Sequence, residues 1–385
     1  MTTIIIIGFI QAFFFAVLAL TKKKKEVADY ILAALFLILC FQLGVNYVMV
    51  TEKYREALPH LIGTAGPMSL LYGPLLFFFI KNFISEKHKF KPKHLLHFVP
   101  FIADYIDGYI KFYNQSGQEK IQDLIEIMNG QPDADLAVFL LIRSIHPIIY
   151  CIWSIDVLRV HRKNLFRLYS FTSEKLKLEW LWYLTWSMFV VGVSAFILNV
   201  IIVFFDVADW VQLRMIILVI AALWVFFLGY YSIKKTPFYR SYHIDGIDTL
   251  DFDKILKQPE KYEKTKLKEE EVPGLKKKLL DFLVQEKPYL NNSLSIGELA
   301  ESIDIPTYQL SQLINDKLGK SFFELINSYR VDEVKQRFFD PKYSNLTLLG
   351  IAMECGFNSK ASFNRIFKQL TNQTPTEYIK TKKAA

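Results

Sequence analysis

Long apolar stretches fill the first 233 residues, and no other feature limits the possible folds so sharply. They lie at about 3–20, 28–50, 60–83, 94–112, 136–158, 180–205 and 211–233, each near the roughly 20 residues that cross a bilayer. In hydrocarbon the backbone must satisfy its own amides, which a helix does within one segment. Seven transmembrane helices are therefore expected. The first, Thr3 to Leu20, comes before Lys22–Lys25. A cleaved leader carries its basic residues ahead of the apolar run, so this stretch reads as a first span. The 52% hydrophobic content belongs mostly to this half, and the chain after it is polar and charged.

Charge sets an orientation, because Lys and Arg collect in cytoplasmic loops. With the N-terminus outside, the inner loops hold eighteen Lys and Arg, from Lys22 to Arg240, and the outer loops hold four: Lys53, Arg55, Lys111 and Lys120. Everything after residue 234 is then expected in the cytoplasm. The net charge of +8 is compatible with nucleic acid, but so much of it flanks apolar segments that it decides nothing alone. Cys40, Cys151 and Cys355 are far apart, with no metal-ligand or CxxC spacing, and read as reduced and structural. No HExxH, GxSxG or P-loop pattern occurs, so neither metal, cofactor nor catalytic residue is implied and the chain is read as a non-enzyme.

The longest outer loop, about 113–135, is too short for a folded sensor. Ionisable residues inside spans are the remaining candidates, since a charge in lipid needs a partner or a task. Asp104 and Asp107 in the fourth stretch match the depth of Arg143 in the fifth, with His146 deeper beside Pro147. These four are expected either to line a pocket for a small-molecule or amphiphilic signal, or to form an ion pair joining two helices. The ion pair explains the matched depths without a ligand.

Residues 234–274 are charged and mostly non-periodic, and read as a solvated juxtamembrane linker. From Leu275 an amphipathic helix opens a third region, 275–385. There one pattern occurs twice, as LSIGELAESIDIPTYQLSQLIND and LTLLGIAMECGFNSKASFNRIFK. Each copy gives a short helix with an inward alanine (Ala300, Ala352), a tight turn, and a second amphipathic helix. That is the outline of two helix-turn-helix units. Four residues after each alanine the chain must bend sharply. Gly356 suits a positive φ there, and Asp304 tolerates it. Phe322 to Phe339 reads as one connecting helix.

GFNSKASFNRIFK, the following TPTEY, and LGKSFFELINSYRVDEVK between the copies together resemble the DNA-binding domain of AraC/XylS-type transcription regulators. The resemblance covers roughly the last hundred residues. It implies double-stranded promoter DNA as a partner, met by the exposed faces of the second helix of each unit: Thr307, Tyr308, Ser311, Gln312 and Asn315 in the first, Lys360, Ala361, Asn364, Arg365 and Lys368 in the second. Arg365 has the planar fork that bonds both acceptors of a guanine, while Lys360 and Lys368 suit phosphate. From Leu275 to Ser344 ten Lys/Arg face ten Asp/Glu, whereas from Asn345 six face two, so the second unit is expected to supply more of the salt-dependent attraction.

The expected protein is all-α: a seven-helix membrane domain (1–233), a linker (234–274) and a cytoplasmic double helix-turn-helix domain (275–385). It is placed in the bacterial inner membrane, multi-pass, with RNA polymerase and a second copy of itself as further partners. Two other readings remain open: a transporter or membrane enzyme with a regulatory tail, and a factor released by proteolysis near the linker.

Overall fold

The computed structural model describes residues 1–23, 25–84, 91–129, 133–170, 178–205, 210–240, 267 and 269–384. Lys24, Lys87, Lys89, Lys175, Lys177 and most of the expected linker, 241–266 and 268, lie outside the described residues. Among those described there are helices and turns but no strand, with one isolated antiparallel bridge between Tyr169 and Ser295. The chain divides into two compact units. Met1–Leu158 and Glu179–Asp253 make the first; Arg159–Leu178 and Lys254–Ala385 make the second.

The first unit comprises α1 (Thr2–Leu20), α2 (Val27–Val50), α3 (Glu52–Ala57), α4 (Ser69–Ile84), α5 (Val99–Gly108), α6 (Gly117–Asn129), most of α7 (Ala134–Leu168), α8 (Glu179–Phe204) and α9 (Trp210–Arg240). On α1 the buried residues are almost all small, namely Gly8, Ala12, Ala16 and Ala19 with Ile5. This lets its backbone approach α2 and α9 closely, as helices in lipid pack. At Gly8 a Cβ would fall 2.5 Å from the Ala222 side chain. Among the described residues four helices, α1, α2, α7 and α8, are long and apolar enough to cross a bilayer, while α4 and residues 215–231 of α9 are shorter apolar helices.

Two of the seven expected stretches are not simple helices. In the third, Pro59, Gly63 (φ +81°) and Pro67 hold residues 59–68 in turns, and α4 begins only at Ser69. The fourth is broken into a 3-10 segment Pro92–Phe98, the ten-residue α5, and a π turn Tyr109–Tyr113. Pro100 has no amide to carry the hydrogen-bond ladder back into the 3-10 segment, which accounts for the break before α5.

The second unit holds α10 (Val272–Gln285), α11 (Ile296–Ser302), α12 (Thr307–Gln312), α13 (Phe322–Arg337), α14 (Leu348–Glu354), α15 (Lys360–Thr371) and α16 (Pro375–Ala384). Local chemistry sets the boundaries. Ser295 Oγ accepts from the Glu298 amide while Glu298 Oε2 accepts from the Ser295 amide, and Ser321 with Glu324 repeats this box at the start of α13. Thr347 caps α14 and Ser359 caps α15. The core of the second half packs Phe323, Val331 and Val334 of α13 against Ile351, Ala352, Phe357, Phe363, Ile366 and Phe367. Leu370, the last apolar residue of α15, is 43% exposed, because the helix ends at Thr371 and its last turn passes beyond that core.

The second unit is not continuous in sequence. The last ten residues of α7, Arg159–Leu168, belong to it, together with Tyr169 and Ser170. Phe166 stacks edge-on against Phe323, with ring centroids 5.1 Å apart.

Candidate nucleic-acid interface

Both turns are built on the same hydrogen bond. The Ile305 amide donates to the Ala300 carbonyl at 3.0 Å, and the Phe357 amide donates to the Ala352 carbonyl at 3.1 Å. Closing each bond requires a left-handed residue between helices. Asp304 takes φ +46° in the first turn and Gly356 takes φ +90° in the second. The glycine has a second reason to be there. A Cβ on Gly356 would lie 2.5 Å from the Tyr289 carbonyl oxygen and 2.8 Å from Arg330 Nε.

These turns present α12 and α15 as second helices. Leu310 of α12, with Leu313 and Ile314 just after it, is fully buried, as are Phe363, Ile366 and Phe367 of α15. The outward face of α15 carries Lys360, Ala361, Asn364, Arg365 and Lys368, all exposed. No ion pair engages Lys360, Arg365 or Lys368 among the described residues, so their charges are available to an anionic partner. In the first helix-turn-helix Tyr308 is exposed, whereas Thr307, Ser311, Gln312 and Asn315 are half-buried. Two of these are already occupied: Asn315 Nδ2 donates to the Ser311 carbonyl at 2.7 Å, and Gln312 Oε1 accepts from the Leu267 amide at 3.3 Å. Leu267 is itself buried, and Lys317 pairs with Glu269 at 2.6 Å. Within the expected linker, Leu267 thus packs on the first helix-turn-helix, while Glu269 reaches Lys317 from an exposed position.

The family described as "Helix-turn-helix domain" matches residues 299–381. Residues 299–381 form an AraC-type helix-turn-helix domain. An uncharacterized HTH-type transcriptional regulator of Staphylococcus aureus is 36% identical over 90 residues, which is 23% of this chain and 12% of the relative. The probable transcriptional regulator LumQ of Photobacterium leiognathi is 26% identical over 110 residues, 29% of this chain and 42% of the relative. The matches thus span less than half of these relatives, and no solved structure matches the chain. The similarity to HTH-type transcriptional regulators is thus confined to the helix-turn-helix region of the chain.

Sequence reading missed what holds the AraC-type domain together. Arg330 on α13 is only 1% exposed. Its Nε donates to the Tyr289 carbonyl at 2.7 Å, Nη1 to the Ser170 carbonyl at 2.9 Å, and Nη2 to the Asn291 carbonyl at 2.7 Å and Ser170 Oγ at 3.1 Å. Asn327 Nδ2 adds a donor to the Ser170 carbonyl at 2.8 Å, while Ser170 Oγ donates to the Leu294 carbonyl at 2.6 Å. Burial pulls the Arg330 guanidinium down to about 10, so it stays charged at neutral pH, and carbonyl oxygens rather than a carboxylate offset that charge. The available signal was the inward spacing Phe323, Asn327, Arg330, Val334, which places two polar residues on the buried stripe of α13. Nearby, burial raises the Glu333 carboxyl while hydrogen bonds from Lys287 and Arg337 lower it, and the net is below its ordinary value.

In the first unit Arg143 and Asp104 come together. Arg143 Nε and Nη2 each donate to one Asp104 oxygen at 2.8 Å, a bidentate pair in which Asp104 is 5% exposed. Asp107 instead meets Lys111 at 3.2 Å. His146 lies against the Tyr150 ring, centroids 4.9 Å apart, and its buried Nδ1 has no hydrogen-bond partner among the described residues. Among the described residues no group of three or more His, Cys, Asp or Glu is placed to hold a metal.

Proposed function

We propose that the chain is a membrane-embedded, sequence-specific transcription regulator. In this reading residues 1–233 receive a signal and the AraC-type domain engages promoter DNA, acting as a homodimer on paired half-sites and through RNA polymerase. The N-terminus is outside and the AraC-type domain is in the cytoplasm of a bacterial cell. Thr307, Tyr308, Ser311, Gln312 and Asn315 then contribute mostly contacts that position the first unit, while Arg365 and Asn364 read bases and Lys360 and Lys368 hold phosphates.

The observation that carries the coupling is the division of α7. Arg143, paired with Asp104, lies on the part of α7 in the first unit; the last ten residues of the same helix and Ser170 complete the second. Arg330 grips Ser170, holds the chain just before α11, and lies against the turn of the second helix-turn-helix. A signal that shifts α7 therefore reaches both DNA-reading units through Arg330, without relying on the linker.

The test is chromatin immunoprecipitation of the full-length protein from the membrane fraction. Discrete promoters should be recovered with wild type and lost with Arg365→Ala. Asp104→Asn, which weakens the pair on α7, should change occupancy, and Asn327→Leu, which loosens the hold on Ser170, should erase that change. No enriched promoters in the membrane fraction would sink the regulator reading; occupancy indifferent to Asp104→Asn would sink the coupling.

A further inference from the structure

The first unit has a partly open cavity of about 170 Å³ between α2, α4, α7, α8 and α9. Most of its exposed wall is apolar, with Met188, Ile202 and Leu218 among the lining, neutral polar side chains such as Gln42, Asn46 and Asn199 contribute the rest, and Arg143 is its one charged lining residue among the described residues. The Arg143 charge is already neutralised by Asp104. One of its nitrogens is nonetheless unused. Nε and Nη2 go to Asp104, while Nη1 has no hydrogen-bond acceptor among the described residues and lies beside Gly66, where a Cβ would come within 2.4 Å of it. Gly66 also lines the cavity, so the missing side chain there leaves the room that Nη1 occupies.

We propose that this cavity binds a small, uncharged, largely aliphatic molecule bearing one carbonyl or hydroxyl oxygen, which accepts a hydrogen bond from Arg143 Nη1. Size follows from volume: a dry cavity of about 150 Å³ takes one benzene-sized molecule, so this one takes about seven or eight heavy atoms. The absence of net charge follows from the ion pair. A carboxylate here would face a guanidinium already neutralised, and would bring a charge into an apolar site with nothing to balance it.

This deepens the sensing role proposed for the first unit and rests on it. The test uses full-length protein in lipid nanodiscs, with 2-heptanone, heptane and hexanoate as probes and saturation-transfer NMR as the readout. Ala195→Phe, which fills the cavity wall, supplies the background. A specific 2-heptanone signal should appear in wild type and vanish in Ala195→Phe. Heptane should bind at least about tenfold more weakly, as loss of a hydrogen bond to a charged donor requires, and hexanoate should give no specific signal. Arg143→Lys keeps the charge opposite Asp104 but has no fork to spare for a ligand, so 2-heptanone should fall to the heptane level. Gly66→Ala displaces Nη1 without altering charge and should do the same, which guards against misfolding of the lysine variant. Equal binding of ketone and alkane, tighter binding of hexanoate, or a ketone signal that survives Ala195→Phe overturns the proposal. Specific ketone binding without any change in promoter occupancy would overturn the coupling and leave the site standing. Coupling variants that still act in a protein that binds no probe would overturn the site alone.

Discussion

Replacing Gly356 by alanine should destabilise the second helix-turn-helix by an amount that can be worked from its surroundings. At φ +90° a Cβ costs about 1–2 kcal/mol in backbone strain. Alanine returns about 0.4–1 kcal/mol by restricting the unfolded chain. The new methyl also lies 2.5 Å from the Tyr289 carbonyl oxygen and 3.0 Å from that of Leu290, both backbone atoms with little freedom to retreat. Tyr289 O accepts from Arg330 Nε, so moving it forfeits a buried bond from a charged donor, about 1.5–3 kcal/mol. The net loss is about 2–4 kcal/mol, a large share of the roughly 5–15 kcal/mol that stabilises a domain. Amide exchange of α13 in the full-length protein is the assay, and exchange through global opening should speed up roughly 30- to 1,000-fold. Gly274→Ala is the control, since a Cβ there meets nothing within 4 Å and the residue sits in α10. It should slow exchange slightly, by up to about 1 kcal/mol. If Gly356→Ala costs less than about 1 kcal/mol, the turn is not clamped by Arg330 and the account of that side chain is wrong.

Arg365→Ala should cost about 1–3 kcal/mol of discrimination at one base pair, while Lys368→Ala should weaken all sequences alike and lower the salt slope by about one, both measurable by binding titrations at several salt concentrations. For topology, Gln118→Cys on α6 should react with an impermeant maleimide on intact cells and Lys360→Cys should not; the native cysteines are buried and add little background. The lowered Glu333 carboxyl gives an acid limb with a definite sign. Its contribution is complete above the unfolded value of about 4.3 and is lost as pH falls through the lower folded value, so a Glu333→Gln protein should show a flatter decline in α13 protection on acidification.

The AraC-type domain was legible because its decisive signals are local. Ser295 and Glu298 mark the start of α11 within four residues, and the paired alanines and their turns lie within six. Apolar length likewise announced α1, α2, α7 and α8. What stayed hidden depends on distant partners. Arg330 looks like any helix-surface arginine until Ser170, 160 residues earlier, is placed against it. Asp104 and Arg143 share a depth in sequence, yet only the structure separates them from Asp107, which turns to Lys111. Hydropathy also overstated the fourth stretch, since it counts apolar residues without registering that Pro100 interrupts the hydrogen-bond ladder.

The discontinuity of the second unit bears on how the protein is made. Ser170 leaves the ribosome more than a hundred residues before Leu294, its acceptor, and α8 and α9 are synthesised in between. The segment must wait, with its partners unsynthesised, until α13 emerges and Arg330 can close over it. Such late, long-range closure slows folding, though the entropy of the intervening loop grows only logarithmically with its length. A fragment that begins at residue 270 never receives that segment, and leaves the Arg330 guanidinium short of two of its acceptors.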